Sequence, residues 1–213
     1  MVEIAKFTDA DRDAVRDICF RTGFLGRSME GIIDYGDLFL DLSLNYFFTY
    51  GGDCRVVARE DEKTVGYVLV ATDKNDYYAY NRSYYIKRAV SDVAAFRLFR
   101  KKELKYYARM LLYYLNGELK MPEFEEYPAL LHVNVAPGRR RAGIGGKMFE
   151  EAFKCLEKSG CPGVQLQTTS ANDTATPFFK KHGFIELASK ETNFYKAYGM
   201  GTVRLIAMGK KLQ

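Results

Sequence analysis

The stretch LLHVNVAPGRRRAGIGG, Leu130 to Gly146, indicates how the chain folds. Its alternating apolar residues are typical of a strand that ends at a Pro-Gly pair, and arginines and glycines follow. Residues 147–156 then carry apolar side chains at helical spacing. The first amides of a helix have no partner within it, and the helix dipole adds partial positive charge there. The stretch therefore predicts a strand, a turn and a helix N-terminus that would hold a phosphate group.

Two common nucleotide-binding loops do not fit this turn. A Walker A loop ending at Gly146-Lys147 would have Arg141 in place of its first glycine and Met148 in place of its hydroxyl residue. A dinucleotide fingerprint that starts at Gly143 would need glycine where Met148 stands. A glycine-rich helix cap on a solvated turn is the alternative that needs no ligand.

Residues 140–145, RRAGIG, match the Arg/Gln-x-x-Gly-x-Gly/Ala pattern of the GNAT superfamily of N-acetyltransferases. Residues 172–184, NDTATPFFKKHGF, resemble a second motif of that family, Asn-x-x-Ala-x-x-Phe-Tyr-x-x-x-Gly-Phe. A predicted helix and strand lie between the two motifs. Since both occur in the expected order, the chain is identified as resembling a GNAT N-acetyltransferase.

Three further stretches resemble one branch of this superfamily. They are residues 17–23, 64–73 and 131–135. That branch contains bacterial acetyltransferases related to the acetyltransferase-like C-terminal domain of O-GlcNAcase. Some of its members are regarded as pseudo-acetyltransferases.

The predicted fold class is α/β of the mixed α+β kind, with a GNAT-like twisted mixed sheet flanked by helices. The elements are expected in the order βααβββαβαββ, within one domain over residues 1–213. Residues 74–128 stand where the family connects its third and fourth strands directly. They are predicted to be a helical insertion before the fourth strand that covers the acceptor side of the site, with one helix from about Asp92 to Leu115.

Composition excludes several other classes. The net charge of +5 suits an anionic ligand and is too small to indicate nucleic acid, so no nucleic-acid partner is expected. Four cysteines without Cys-x-x-Cys spacing and two histidines argue against a metal site and for reduced thiols. No signal peptide or membrane-length apolar run occurs in the sequence, so a cytoplasmic location without membrane contact is expected.

The resemblance implies acetyl-CoA as co-substrate. Strand residues would hold the pantetheine arm, the turn amides would hold the pyrophosphate, and residues of the second motif would touch the arm and the adenosine end. The residues that match these positions are Val133, Asn134, Val135, Arg140, Arg141, Ala142, Gly143, Ile144, Gly145, Gly146, Asn172, Phe178 and Lys181.

The catalytic residues are less clearly indicated. Phe179 stands where many relatives carry a tyrosine that protonates the leaving thiolate, and a phenyl ring has no proton to give. The remaining candidates are His132 on the fourth strand, and Glu126 and Tyr127 just before it. His132 is one residue out of phase with the positions where relatives place a base, so its ring is expected on the other face of the sheet.

Other side chains have possible roles, each with a plain structural alternative. Tyr195 and Tyr198 are candidate replacement acids, although packing is the commoner role for a tyrosine. Asp34 and Asp73 could attract a cationic amine, although loop carboxylates are commonly solvated.

The predicted function is transfer of an acetyl group from acetyl-CoA to an amine, a small molecule ahead of a protein lysine, by direct attack. The alternative is an acetyl-CoA-binding pseudo-acetyltransferase that acts as a sensor or interaction module. A nucleic-acid-binding protein that uses the basic insert is a third hypothesis and rests on charge alone. The family often pairs through late strands, so a homodimer is a further expectation.

Overall fold

The computed structural model describes residues 2–94 and 101–212. Helices and strands follow one another in the predicted order, with two helices between the third and fourth strands. The elements are β1 (Val2–Lys6), α1 (Arg12–Thr22), α2 (Asp37–Tyr50), β2 (Val56–Glu60), β3 (Lys63–Ala71), α3 (Lys74–Ala94), α4 (Lys101–Leu115), β4 (Ala129–Val135), α5 (Ile144–Lys158), β5 (Gly163–Thr169), α6 (Ala175–Lys181), β6 (Ile185–Thr192) and β7 (Val203–Lys211). Short 3-10 helices cover Asp9–Asp11 and Phe194–Tyr198.

The strands form one seven-stranded mixed sheet in the order β1-β2-β3-β4-β5-β7-β6, which confirms the predicted fold class. All neighbours are antiparallel except β4 and β5. β4 pairs with β3 along its length, from Leu130 to Val135, but its pairing with β5 is confined to Ala129↔Val164 and Leu130↔Gln165. The two strands therefore diverge after Leu130 and open a cleft in the middle of the sheet.

The two faces of the sheet carry separate hydrophobic cores, because successive side chains of a strand point to opposite faces. On one face α5 packs Met148, Phe149 and Ala152 against Ala129 and Leu131 of β4. On the other face α1 and α2 pack against β3 residues such as Tyr67 and Leu69, and Leu130 of β4 joins that core. Residues 129–132 of β4 thus alternate between the cores as the sequence pattern predicts.

Helix α3 packs on α2, and helix α4 packs on the 3-10 helix Phe194–Tyr198. On α3, the Tyr77 and Tyr80 rings lie 5.4 and 5.6 Å from the Tyr46 ring of α2. On α4, the Tyr106 and Tyr113 rings each lie 5.8 Å from the Phe194 ring. The predicted helix from Asp92 to Leu115 includes residues 95–100, which lie outside the described residues.

A carboxylate on α4 also holds the segment that connects α1 to α2. Glu103 Oε1 accepts hydrogen bonds from the backbone N–H groups of Asp34 and Tyr35, at 2.7 and 2.5 Å. The Glu103 side chain is buried, so this contact fixes the connecting segment against α4.

The prediction of four reduced thiols is wrong for two of them. Cys54 and Cys155 form a disulfide with their Cα atoms 5.4 Å apart, across 101 residues of sequence, while Cys19 and Cys161 are free. Spacing along the chain could not reveal this pair, because only the packing of α5 over the start of β2 brings the two residues together. Among the described residues, no helix is long and apolar enough to span a membrane.

Candidate functional site

The divergence of β4 and β5 leaves a cavity of about 880 Å³ that reaches from the turn before α5 to α1 and α2. Residues 131–135 of β4 and 166–169 of β5 line its middle. Backbone groups on these facing strand edges have no strand partner across the cleft, so an extended ligand with amide groups can pair with them. Thr169 offers a further contact, since its buried hydroxyl has no hydrogen-bond partner among the described residues.

The turn before α5 is built to receive an anion. Arg141 and Gly143 adopt left-handed backbone conformations, with φ of 65° and 75°, and the helix begins at Ile144. In the described structure, no side chain caps α5 and no acidic residue lies in its first turn. The first amides of α5 are therefore open to a ligand, and the helix dipole favours a negative charge there.

Arginines fix this turn and supply charge. Arg140 Nη2 donates to the Gly26 carbonyl at 2.9 Å, which ties the turn to the segment after α1. Arg139 pairs with Glu60 of β2 at 2.6 Å. Arg141 and Lys147 are exposed cations that line the cavity. These charges converge on one end of the cavity, as a pyrophosphate or phosphate ligand would require.

Helix α6 packs directly on the start of α5. A Cβ atom added at Gly145 would lie 2.8 Å from the Phe178 ring, so only glycine allows this approach. The Phe178 ring itself lies 4.6 Å from the His182 ring, and both residues line the cavity. Residues of the second motif, among them Asn172, Phe178 and His182, therefore line the same cavity as the glycine-rich turn.

Twelve of the thirteen predicted cofactor residues line this one cavity, and Ala142 is the exception. The twelve are Val133, Asn134, Val135, Arg140, Arg141, Gly143, Ile144, Gly145, Gly146, Asn172, Phe178 and Lys181. Sequence reasoning did not identify the β5 contribution, Gln167 to Thr169, or the wall from α1 and α2. No local motif marks those positions.

His132 lies in the cavity wall, on the face of the sheet that carries α1 and α2. Its ring stacks 6.0 Å from Phe47 and 5.6 Å from Tyr67, and Nδ1 lies 3.5 Å from the Tyr67 hydroxyl oxygen. Asn134 Nδ2 donates to the same oxygen at 2.8 Å. Burial lowers the pKa of His132 to about 4. The imidazole is therefore neutral near pH 7 and acts through hydrogen bonds, as a base much weaker than an ordinary histidine.

Glu126 and Tyr127 lie elsewhere. They precede the end of β4 at which it is still paired with β5, and neither lines the cavity. Glu126 is exposed and pairs with Lys211 of β7 at 3.1 Å, whereas Tyr127 is buried. The structure does not bring these two side chains to His132.

The residue at the usual acid position and the two candidate replacement acids lie in different places. Phe179 is buried under α5, with its ring 6.2 Å from Phe149, and it also lines the cavity. Tyr195 lines the cavity, and burial raises its pKa to about 12, so its phenol is protonated at neutral pH. Tyr198 does not line the cavity, and neither do Asp34 and Asp73.

No group of three or more described His, Cys, Asp or Glu side chains is placed to hold a metal ion. The site is instead a cleft between diverging strands that ends at an anion-binding helix N-terminus.

The sequence profile of the acetyltransferase (GNAT) family matches residues 27–184, which is most of the chain. The chain belongs to this family. Its fold is similar to the crystal structure of SsHAT, at 22% identity and a TM-score of 0.67, with 100% of this chain and 98% of that chain covered.

Two named N-acetyltransferases have a similar fold. The ribosomal-protein-S18-alanine N-acetyltransferase from Escherichia coli is 14% identical, with a TM-score of 0.54 and 100% and 95% of the two chains covered. The ribosomal-protein-alanine N-acetyltransferase from Brucella melitensis is 17% identical, with a TM-score of 0.58 and 99% of each chain covered. At these identities the likeness establishes the fold.

Proposed function

We propose that this chain transfers the acetyl group of acetyl-CoA to a primary amine by direct attack, a small-molecule amine ahead of a protein lysine. The observation that carries the proposal is the open cleft between β4 and β5, which leads to the uncapped N-terminus of α5. An extended pantetheine arm fits the open strand edges, and a pyrophosphate fits the amides.

The reaction balances without any further reagent. The nitrogen lone pair of the neutral amine attacks the thioester carbonyl carbon, forming the C–N bond. The C–S bond breaks, and its electron pair leaves with sulfur. The new amide nitrogen loses a proton and the thiolate gains one, which gives an N-alkylacetamide and CoA with a free thiol.

The cofactor residues divide the ligand among them in this proposal. The backbone of Val133 to Val135 pairs with the pantetheine arm, and the amides of Arg141 to Gly146 hold the pyrophosphate. Asn172 and Phe178 contact the arm, while Lys181 faces the adenosine end. Support comes from their convergence on one cavity, together with the unpartnered Thr169 hydroxyl beside it.

His132 and Tyr195 are the catalytic residues that we propose. The neutral His132 ring would hydrogen-bond the amine or the thioester oxygen, and the protonated Tyr195 phenol would supply the thiolate proton. Both line the cavity. Glu126 and Tyr127 stay predictions, and their position away from the cavity gives them no contact with the reacting atoms.

We further propose that residues 1–213 form one domain, with residues 74–128 as an insertion whose helices cover the acceptor side of the site. The resemblance to the O-GlcNAcase-related branch, the cytoplasmic location and the homodimer stay predictions. The Cys54–Cys155 disulfide argues against the cytoplasmic location, because such bonds persist mainly in oxidising compartments.

A second candidate function is that of an acetyl-CoA-binding pseudoenzyme. The observation that favours it is Phe179, which fills the usual acid position with a buried phenyl ring. The two candidates share the ligand and differ only in turnover.

Calorimetric titration with acetyl-CoA, combined with a free-thiol release assay over a panel of amines, tests both. We expect micromolar binding, its loss on Arg141→Glu, and thiol release with at least one amine. Binding without thiol release would move the assignment to the pseudoenzyme. Absence of binding by the wild-type chain would contradict both candidates.

A further inference from the structure

The end of the cavity opposite the phosphate turn has a wall with no formal charge. We define the acceptor wall as the lining side chains Thr22, Phe39, Ser43, His132 and Tyr195. The lysines and arginines among the described lining residues fall instead on 139–147 and on Lys181, and the lining carboxylate is Glu150 of α5. The neutral state of His132 near pH 7 leaves the acceptor wall uncharged.

Aromatic packing stands behind this wall. Phe39 and Tyr195 pack on a separate cluster formed by buried Phe24, Met29 and Ile33. The Tyr195 ring lies 5.8 Å from Phe24, in an edge-on arrangement. An apolar body of ring size is therefore the complementary partner for this wall, since apolar burial and ring–ring contact both favour it.

The carboxylates of Asp34 and Asp73 are not placed to pair with a second ammonium group on the acceptor. Asp34 is exposed and pairs with Lys102 at 2.7 Å, and Asp73 accepts a hydrogen bond from the Asn75 N–H at 2.7 Å. Neither belongs to the wall. The second ammonium of a diamine would lie unpaired against apolar rings, which is strongly unfavourable.

An acceptor that carries a carboxylate would lack a cation to pair with at this wall. Arg140 already donates to the carbonyl oxygens of Val135 and Gly26, and Arg139 is held by Glu60. The other basic residues of the lining, Arg141, Lys147 and Lys181, belong to the turn before α5, to α5 and to α6. A carboxylate beside the reacting amine would therefore reach the wall without a cation to pair with it.

We propose that the acceptor is a primary amine on an uncharged aromatic or ring-sized apolar body, with 2-phenylethylamine as the model compound. This inference rests on the proposed function and specifies its substrate class. The acceptor wall desolvates the amine and so favours the neutral form that attacks the thioester. The bonds formed and broken are those of the acetyl transfer described above.

The test compares three amines on the full chain with saturating acetyl-CoA. 2-Phenylethylamine carries the ring and one amine, phenylalanine adds a carboxylate, and 1,4-diaminobutane replaces the ring with a second amine. We expect kcat/KM from thiol release to favour 2-phenylethylamine by at least about tenfold over each of the others. A preference for 1,4-diaminobutane or for phenylalanine would overturn the inference.

A charge placed in the wall should invert this preference. Ser43→Asp adds a carboxylate at a half-buried wall position of α2, and Ser43→Asn is the matched neutral control. We expect the aspartate variant alone to gain activity with 1,4-diaminobutane and to lose it with 2-phenylethylamine. An unchanged preference in the aspartate variant would contradict the placement of the acceptor at this wall.

Calorimetry separates failure of this inference from failure of the proposed function. If acetyl-CoA binds but no amine releases thiol, titration of the CoA-loaded protein with the three amines decides the class, and selective binding of 2-phenylethylamine supports it. If none of the three binds, the inference is overturned while acetyl-CoA binding stands. If acetyl-CoA itself does not bind, the proposed function fails and the inference fails with it.

Discussion

The two ends of the cavity are built by different means. The proposed cofactor end consists of backbone amides from one continuous stretch, Arg141 to Gly146, at the start of a helix that packs into the main core. The proposed acceptor end consists of side chains from α1, α2, β4 and the 3-10 helix Phe194–Tyr198, which are separate segments of the sequence. Backbone recognition of phosphate depends on local conformation, whereas the acceptor wall depends on how distant segments pack.

This difference determines what substitutions should do. A change at the cofactor end should alter affinity for acetyl-CoA through the backbone, and a change at the acceptor end should alter amine selection through shape and charge. The disulfide adds a further asymmetry, since it fastens α5 to the chain before β2, on the cofactor side. Substitutions at each end, and at the disulfide, test this contrast.

The largest expected effect is on stability, from removal of the Cys54–Cys155 disulfide. A cross-link that closes a loop of about 100 residues stabilises the folded state by about 5 kcal/mol in the chain-entropy account. We expect Cys155→Ala to lower Tm by about 10 °C in thermal unfolding. Cys161→Ala, which removes a free thiol, is the matched control and should shift Tm far less. Equal shifts in the two variants would argue against the disulfide.

The next effect is on cofactor affinity, from Gly143→Val. A β-branched residue is strained at φ of 75°, so the turn should rearrange and its amides should no longer converge on the pyrophosphate. We expect the Kd for acetyl-CoA in calorimetry to rise about 100-fold, because about two hydrogen bonds to a charged group are lost.

Gly160 provides the control for that variant. It follows α5 at its other end and has φ of 71°, with open space where a side chain would begin, so Gly160→Val carries similar backbone strain. Both variants should lose stability, and only Gly143→Val should lose affinity for acetyl-CoA. Comparable affinity losses would show that strain alone, and not the phosphate site, is responsible.

The sequence predicts the strand, the turn and the helix of the proposed cofactor end, because the information for these elements is local. The alternation of β4, the glycine turn and the helical spacing after it lie in one stretch, and the chain order of all strands followed from similar patterns. The alternation of side chains along β4 also predicts that His132 lies on the opposite face of the sheet from Leu131. The structure shows this, since Leu131 packs in the core under α5 and the His132 ring lies against Phe47 of α2. These features depend on neighbouring residues and on fixed backbone periods.

The acceptor wall could not be predicted in this way. No local pattern distinguishes Ser43 and Phe39 from the other residues of the largely apolar helix α2, and they line the site only because α2 packs beside the cleft. Glu126 and Tyr127 show the converse, since closeness to β4 in sequence put them at the paired end of the strand. The disulfide likewise joins residues that no spacing rule connects.

His132 gives a pH-dependent prediction at the boundary between the two ends. Its pKa is about 4 in the folded chain and about 6.5 when exposed, so the unfolded chain binds more protons between these values. The free energy of unfolding should therefore fall as the pH drops from about 6.5 to about 4. Tm measured across this range should show a shallower slope in His132→Gln than in the wild type.

Burial also lowers the pKa of His182, but His182 is present in both proteins, so its contribution cancels in the comparison. Burial alone would raise the pKa of Asp11. Hydrogen bonds from Arg59, Thr64 and Thr8 outweigh burial and lower that pKa below 3.8, so the stability that Asp11 contributes is lost at a lower pH than the His132 window.

In activity assays, His132→Gln should reduce kcat about tenfold, as expected for one hydrogen bond, with the Kd for acetyl-CoA unchanged. Identical pH slopes in the two proteins would contradict a buried neutral imidazole.

The smallest expected effect comes from Glu126→Gln and Tyr127→Phe. Glu126 is exposed and its pair with Lys211 is a surface contact, which contributes about 0–1 kcal/mol. Tyr127→Phe keeps the buried ring that packs beside Gly163 and Gly209. Both variants should retain kcat/KM within about twofold in the thiol-release assay. A twofold change corresponds to about 0.4 kcal/mol in activation free energy. A loss of tenfold or more in either would place a catalytic group at the paired end of β4 and would end the division of the cavity into a backbone-built cofactor end and a side-chain-built acceptor end.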